Sequence, residues 1–294
     1  MSEPSVTTPD TTPLPAPVPT KLVDVSSLTL EGLTRFVTEQ LGERAFRTGQ
    51  IYRWIHQRGV TSFDEMTDLS KALRQKLKER AEIVPLVKDL EQRSVDGTIK
   101  YRFKTRDGRY IESVYMPSED RKTLCVSTQV GCAMACSFCM TGTLGLKRNL
   151  TPGEIVAQVH TVNREVRQLT GLETYRPLTN LVFMGMGEPL HNLDHVHRAI
   201  TVLCHPGGAG LSPWRITVST AGLVSGLERL ARMSPRPQLA VSLNATTDAL
   251  RSSLMPVNRA WNLARLRQAL DAWPLKSQER FTFEYVLLAG ENDT

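Results

Sequence analysis

The chain has 294 residues, 40% of them hydrophobic and 22% charged, with a formal net charge of +6. That length allows one large domain plus a smaller one, and the composition is that of a globular protein rather than a fibrous chain. No apolar run approaches the ~20 residues of a membrane span, and the N-terminus lacks the basic and apolar regions of a secretory signal.

Residues 1–20, MSEPSVTTPDTTPLPAPVPT, hold six prolines among Thr and Ser. Such a composition cannot bury a core and predicts a disordered tail. Residues 21–92 read as a helical accessory domain, with helix expected to about residue 90. LTLEGLTRFVTEQLG places Leu30, Leu33, Val37 and Leu41 near the helical period and stops at Gly42. AFRTGQIYRWIHQRG repeats the pattern and stops at Gly59, and a third helix follows a cap at Asp68 or Ser70. Tyr52 and Trp54 read as packing residues rather than base-stacking ones. Between Lys71 and Arg109 stand twelve Lys/Arg against six Asp/Glu, which accounts for the whole charge imbalance. A phosphate-rich partner would use such a region, and a solvated helix face followed by a basic hairpin is the competing reading.

Residues 93–120 form a β-hairpin connector: TIKYRFKTRDGRYIESVYM alternates apolar and polar residues around Asp107-Gly108 and carries Glu112 after the turn. Residues 121–294 then alternate strand and helix. TLCVSTQVG, NLVFMGMGEP, RITVSTAG, QLAVSLNAT and FTFEYVLLAG are five short strand candidates, separated by helical stretches such as PGEIVAQVHTVNREVRQL. This alternation predicts an α/β fold with a parallel sheet, open or closed into a barrel, whose site lies at the C-terminal strand ends. Cys132, Gly187-Glu188, Ser219 and Asn244 sit there.

The densest chemistry is QVGCAMACSFCMTGTLG, with Cys132, Cys136 and Cys139 spaced C-x3-C-x2-C. Five cysteines at uneven spacing do not form a disulfide framework and point to metal or redox chemistry in a reducing compartment, hence a cytoplasmic location. Three thiolates can hold three irons of a [4Fe–4S] cluster and leave the fourth open to the amino and carboxylate groups of S-adenosylmethionine. One electron then cleaves the sulfonium to a deoxyadenosyl radical. A zinc site completed by His160 or Cys204 is the competing reading. His191, His195 and His197 read as surface or packing residues, since positions two apart on a helix point different ways. Cys204 reads as structural.

KTLCVSTQVGCAMACSFCMTGTLGLKRNLTPGEI resembles the RlmN/Cfr group of radical S-adenosylmethionine RNA methyltransferases, and YIESVYMP, NLVFMGMGEPL, ITVSTAG, LAVSLNAT and FTFEYVLLAGEND are similar to that group in the same order. The resemblance implies a partial TIM-like (β/α)6 barrel with a small N-terminal helical accessory domain. It implies Cys132, Cys136 and Cys139 as cluster ligands, and Gly187, Glu188, Ser219, Ser242, Leu243 and Asn244 as cofactor contacts. Asn244 stands where many relatives have His. Glu112 matches the proton acceptor and Cys125 the resolving cysteine. Each also has a plainer reading: turn residues, a solvated hairpin carboxylate, a buried thiol.

The implied reaction methylates carbon 2 of adenine in 23S rRNA and tRNA by way of a methylated cysteine, with a flavodoxin-like or ferredoxin-like electron donor and a monomeric enzyme. After the carbon radical adds to the ring, Glu112 takes the ring proton, and Cys125 forms a disulfide that frees the RNA. The group's sixth strand, an asparagine on it and the methyl-carrying cysteine are not found before Thr294. The expectation is therefore a C-terminally truncated form, able to bind a cluster and cleave S-adenosylmethionine without methylating RNA; a degenerate paralogue is the alternative. Methylation at carbon 8, a radical enzyme acting on another substrate, and a non-catalytic RNA-binding relative are the competing functions.

Overall fold

The structure, a computed structural model, describes residues 22–84, 86–171, 174 and 176–293. The tail expected at residues 1–20 lies outside the described residues. The first helix, α1 (Leu30–Arg35), starts at Thr29, whose hydroxyl accepts from the Gly32 N–H, and runs into a wider π turn at Phe36–Gln40. Next comes α2 (Phe46–His56); α3 (Lys71–Arg80) is capped by Ser70, which accepts from the Leu73 N–H at 3.2 Å. Asp68, the other candidate cap, instead accepts from the Trp54 indole N–H at 2.5 Å. Tyr52 is buried, and Trp54 lies under the Arg58 guanidinium.

Helix does not continue to residue 90. Ala81–Glu82 pairs with Val23–Asp24, and β1 (Val87–Arg93) is a strand. The stretch IVPLV explains the change, because β-branched residues favour extended backbone and proline cannot donate to a helix. β2 (Ile99–Lys104) and β3 (Tyr110–Pro117) form the expected hairpin, with Gly108 at φ 77° in its turn. The hairpin is more than a connector. β4 (Lys122–Cys125) pairs antiparallel with β3 and parallel with β5 (Asn180–Phe183). It thereby joins the antiparallel strands to a parallel set completed by β6 (Ile216–Thr220), β7 (Gln238–Ser242) and β8 (Thr282–Glu284). The eight strands lie side by side in chain order. The five expected parallel strands are all present, forming an open arc among the described residues.

The crossovers are α4 (Pro152–Thr170), α5 (Leu193–Cys204), α6 (Val224–Leu230), and α7 (Asp248–Leu254) with α8 (Leu263–Asp271). Successive strand residues point to opposite faces. Leu181, Phe183, Val218, Leu239 and Val241 join Ile155, Val159, Val196 and Ile200 of α4 and α5 in one core, which also takes in Leu33, Ile51 and Leu73 from the N-terminal helices. Register places Cys125 beside Val114 and Val182, and Ser242 beside Glu284, on the opposite face. No helix among the described residues is long and apolar enough to cross a membrane.

The basic window is largely neutralised. Lys76, Lys78, Lys88, Arg93, Lys100, Arg102, Arg106 and Arg109 each pair with a carboxylate, among them Glu43, Asp64, Glu112 and Glu165 from outside the window. The raw count therefore overstates the field offered to a polyanion.

Where α2 meets α4, His56 Nδ1 lies 3.3 Å from His160 Nε2, with His205 packed on the neighbouring Tyr52. Burial pushes both imidazoles down, His160 to about 4 with help from the Arg164 cation. An unfolded His titrates near 6.5, so the unfolded chain binds more protons between that pH and 4 and stability falls as pH drops through the window. His160 alone should cost about 2 kcal/mol from pH 7 to 4.5 in urea unfolding, with His56 adding to the loss, and His160→Asn should remove its share of the slope. An unchanged slope would place the acid sensitivity elsewhere.

Candidate active site

β4 delivers the chain to the cysteine loop through a clamp. The Ser127 hydroxyl donates to the Glu112 carbonyl at 2.6 Å and accepts from the Met186 N–H at 2.9 Å. The Gln158 side chain holds the Ser127 N–H and carbonyl at 2.8 and 3.0 Å. The loop then turns at Gly131, φ 76°, where an added Cβ would lie 1.8 Å from the Gly145 carbonyl oxygen. Gly131→Ala should therefore push the two ends of the cysteine loop apart and cost about 3 kcal/mol, measured by chemical denaturation. A cost under 1 kcal/mol would show that the loop closes in another way.

Cys132, Cys136 and Cys139 line one cleft of about 300 Å³ with Gly187, Glu188, Ser219, Ser242 and Asn244. Ala135 takes a left-handed φ of 51° inside the loop, and the Ser137 N–H donates to the Leu254 carbonyl. Burial pushes the thiols of Cys132 and Cys136 up, the latter to about 11, with the neighbouring thiols and Glu188 adding to the effect. Among the described residues no three His, Cys, Asp or Glu side chains are gathered tightly enough for a metal ion. A cluster asks something different, since each thiolate takes its own iron. Partly buried soft donors on one loop, costly to ionise without a cation, fit that group.

At the end of β5, Gly187 has φ 100°, and a Cβ there would sit 2.5 Å from Gln129 Cβ, so only glycine admits the neighbouring loop. Glu188 is buried. Its oxygens accept from the Leu190 N–H at 3.0 Å and the Ala221 N–H at 2.8 Å, and burial raises its pKa despite those bonds. Ser219 and Ser242 both donate to Glu284, and Asn244, at φ 57°, accepts from the Val286 N–H. Leu243 faces the other way and lines a separate cavity with Leu263, Leu266 and Phe281. Its backbone N–H and carbonyl contact Glu284 and Arg251.

Glu112 and Cys125 are not part of the cleft wall. Glu112 is half exposed and paired with Lys100 at 2.8 Å. It lies on the sheet face of Val114 and Cys125, one step further along β3. Cys125 is buried, and desolvation pushes its thiol to about 11. His160 and Cys204 lie away from the cleft, in the His56 cluster and the α5 core contact. His195 holds the Leu150 carbonyl, and burial lowers the pKa of His197.

Two residues of the site escape sequence reasoning. Glu284 was visible as a lone charge in an apolar strand. Arg251 gave no signal, since an arginine in DALRSSL reads as solvent-facing, yet it is fully buried. Its guanidinium donates to the carbonyls of Ala221, Ser242 and Leu243 and to Asn258 Oδ1.

A parallel α/β sheet with a three-cysteine loop at its strand ends has the architecture of a radical S-adenosylmethionine enzyme, and residues 126–294 match the model of the Radical SAM superfamily. Residues 23–83 match the ribosomal RNA large subunit methyltransferase N-terminal domain. The chain is 69% identical over 294 residues to the dual-specificity RNA methyltransferase RlmN 2 of Myxococcus xanthus, covering 100% of this chain and 78% of that protein. It is 52% identical over 282 residues to an RlmN from Anaeromyxobacter, covering 96% and 73%. A radical SAM methyltransferase crystal structure from Sphaerobacter thermophilus superposes with a TM-score of 0.86 at 44% identity, covering 92% of this chain and 78% of that one. The chain belongs to the RlmN family of radical SAM methyltransferases. Its cofactors are accordingly a [4Fe–4S] cluster and S-adenosylmethionine.

Proposed function

We propose that the chain supplies the RNA-binding and radical parts of an enzyme that methylates carbon 2 of adenine in 23S rRNA and in tRNA, the methyl-carrying cysteine of that reaction not being among its five cysteines. The N-terminal helices up to Arg80 bind RNA, the antiparallel strands of 87–117 join them to the sheet, and 121–294 form the radical core. The observation that carries the reading is the cysteine loop facing a strand-end cleft, with Glu112 and Cys125 further along the same sheet face. When bound, the cofactors supply one-electron chemistry that makes an unactivated methyl group reactive. Cys132, Cys136 and Cys139 hold the cluster. Gly187 gives close backbone approach, while Glu188, Ser219, Ser242 and Asn244 present polar groups to S-adenosylmethionine, and Leu243 contributes through its backbone. Glu112 accepts the ring proton, which requires it to leave Lys100. Cys125 would attack the sulfur of a methyl-carrying cysteine other than the five in this sequence: the S–S bond forms as the S–C bond to the methylated base breaks, and the freed carbon keeps the electron pair and takes a proton. The raised pKa of Cys125 means that the thiolate has to be generated at the moment of attack. Cys204 packs against the core and is not that partner.

The target base must be unstacked from an RNA loop to reach this cleft. A flavodoxin-like or ferredoxin-like protein supplies the electron, and the enzyme works in the cytoplasm as a monomer. The test is anaerobic iron–sulfide reconstitution. The iron–sulfur absorbance band, dithionite-dependent release of deoxyadenosine, and fluorescence-anisotropy binding of a 23S rRNA loop over duplex DNA are the expected results. A reconstituted protein with no visible band, or one indifferent to RNA, would refute the reading.

A further inference from the structure

Two carboxylates line the cleft, and they are used differently. Glu188 has both oxygens on backbone N–H groups. Glu284 receives two side-chain protons on one oxygen: Ser219 Oγ lies 2.5 Å and Ser242 Oγ 2.9 Å from its Oε2. Oε1 has no hydrogen-bond partner among the described residues. Glu284 stands opposite Ser242 in the β7–β8 register, and its carbonyl accepts from the Leu243 N–H at 2.9 Å, so the backbone fixes its place.

A hydroxyl has one proton and two lone pairs. Each serine directs its proton at Glu284 and therefore meets a ligand as an acceptor. Among the described residues no Lys, Arg or His lines the cleft, and buried Arg251 is aimed at backbone carbonyls and Asn258. The β6–β8 wall is thus anionic and short of donors. It suits a ligand that brings both positive charge and N–H or O–H donors.

We propose that Glu284 is the specificity residue for the cationic cofactor: its charge favours the sulfonium over the neutral thioether, and it orients Ser219 and Ser242 as acceptors for the ligand's hydroxyl and amino donors. The inference rests on the radical S-adenosylmethionine reading and adds a residue to it. Loss of the sulfonium charge removes part of the attraction, which favours release of spent cofactor.

Calorimetric binding to the reconstituted protein tests this with three ligands: S-adenosylmethionine, sinefungin (an amine-bearing cation) and S-adenosylhomocysteine (a neutral thioether). Wild type should prefer both cations. Glu284→Gln should weaken the cations about tenfold, equivalent to ~1.4 kcal/mol, and the thioether by less than about twofold. Ser219→Ala should weaken all three alike. Equal losses for all three ligands in Glu284→Gln, or none, would overturn the proposal. So would a wild type that binds thioether as tightly as sulfonium, a measurement that needs no variant to fold. A wild type that binds none of the three overturns the radical reading itself.

Discussion

Cys136→Ala is expected to abolish the iron–sulfur absorbance of the reconstituted protein and its cleavage of S-adenosylmethionine, while the unfolding free energy changes by no more than about 1 kcal/mol. The two halves of that result have separate causes. Cys136 is half-buried on a loop and only borders the small apolar cluster of Ala221, Ala245 and Met255, so little packing depends on it. Its proposed ligand role has no understudy: a three-thiol site reduced to two leaves two irons without protein ligands. Neither His160 nor Cys204 lines the cleft to replace it. Serine at this position should fail as well, because a hard hydroxyl is a poor exchange for a soft thiolate. An alanine variant that kept its spectrum would remove Cys136 from the ligand set. Visible spectra and denaturation curves on the same preparations decide the matter.

Arg251→Ala should produce the largest loss of stability, about 3–5 kcal/mol in urea unfolding. The guanidinium is fully buried and satisfies the carbonyls of Ala221, Ser242 and Leu243 at 2.8, 3.1 and 3.0 Å. Those carbonyls end β6 and β7, the two strands that carry Ser219 and Ser242 to the cleft. Alanine would strand them without donors and leave a cavity. Lysine should recover little, since a point ammonium cannot reach the sites served by a planar fork of five donors. A loss below 1 kcal/mol would mean that the strand ends are held by other contacts.

Much of this architecture was legible because its signals are local. The five parallel strands are short β-branched runs closed by Gly, Pro or Asn, and the β2–β3 hairpin is announced by Asp107-Gly108 in an alternating segment. What was not legible depends on tertiary context. β1 was read as helix because a charged helical stretch runs straight into it, and only pairing with β2 distinguishes it. The basic window seemed to offer free charge, yet Lys76, Lys78, Lys88 and Lys100 find carboxylates distant in sequence. The family pattern also hides one difference: Ser242 and Asn244 line the cleft, while Leu243, just past the end of β7, turns to a separate cavity. Arg251 lay beyond any local signal, because an arginine becomes a core residue only when three strand-end carbonyls converge on it.

The strict chain order of the eight strands bears on how the protein is made. Each strand docks on the one synthesised just before it, so the sheet can grow at a single advancing edge as the polypeptide leaves the ribosome. The antiparallel strands close short loops at low entropic cost, and the crossover helices pack against the parallel strands in one core. The cysteine loop follows β4, at the seam between the antiparallel strands and the parallel set. Its backbone frame needs β5 and α4 as well as β4, through Ser127, Met186 and Gln158. The geometry of the thiol loop is therefore a property of the assembled sheet and not of the loop's own sequence.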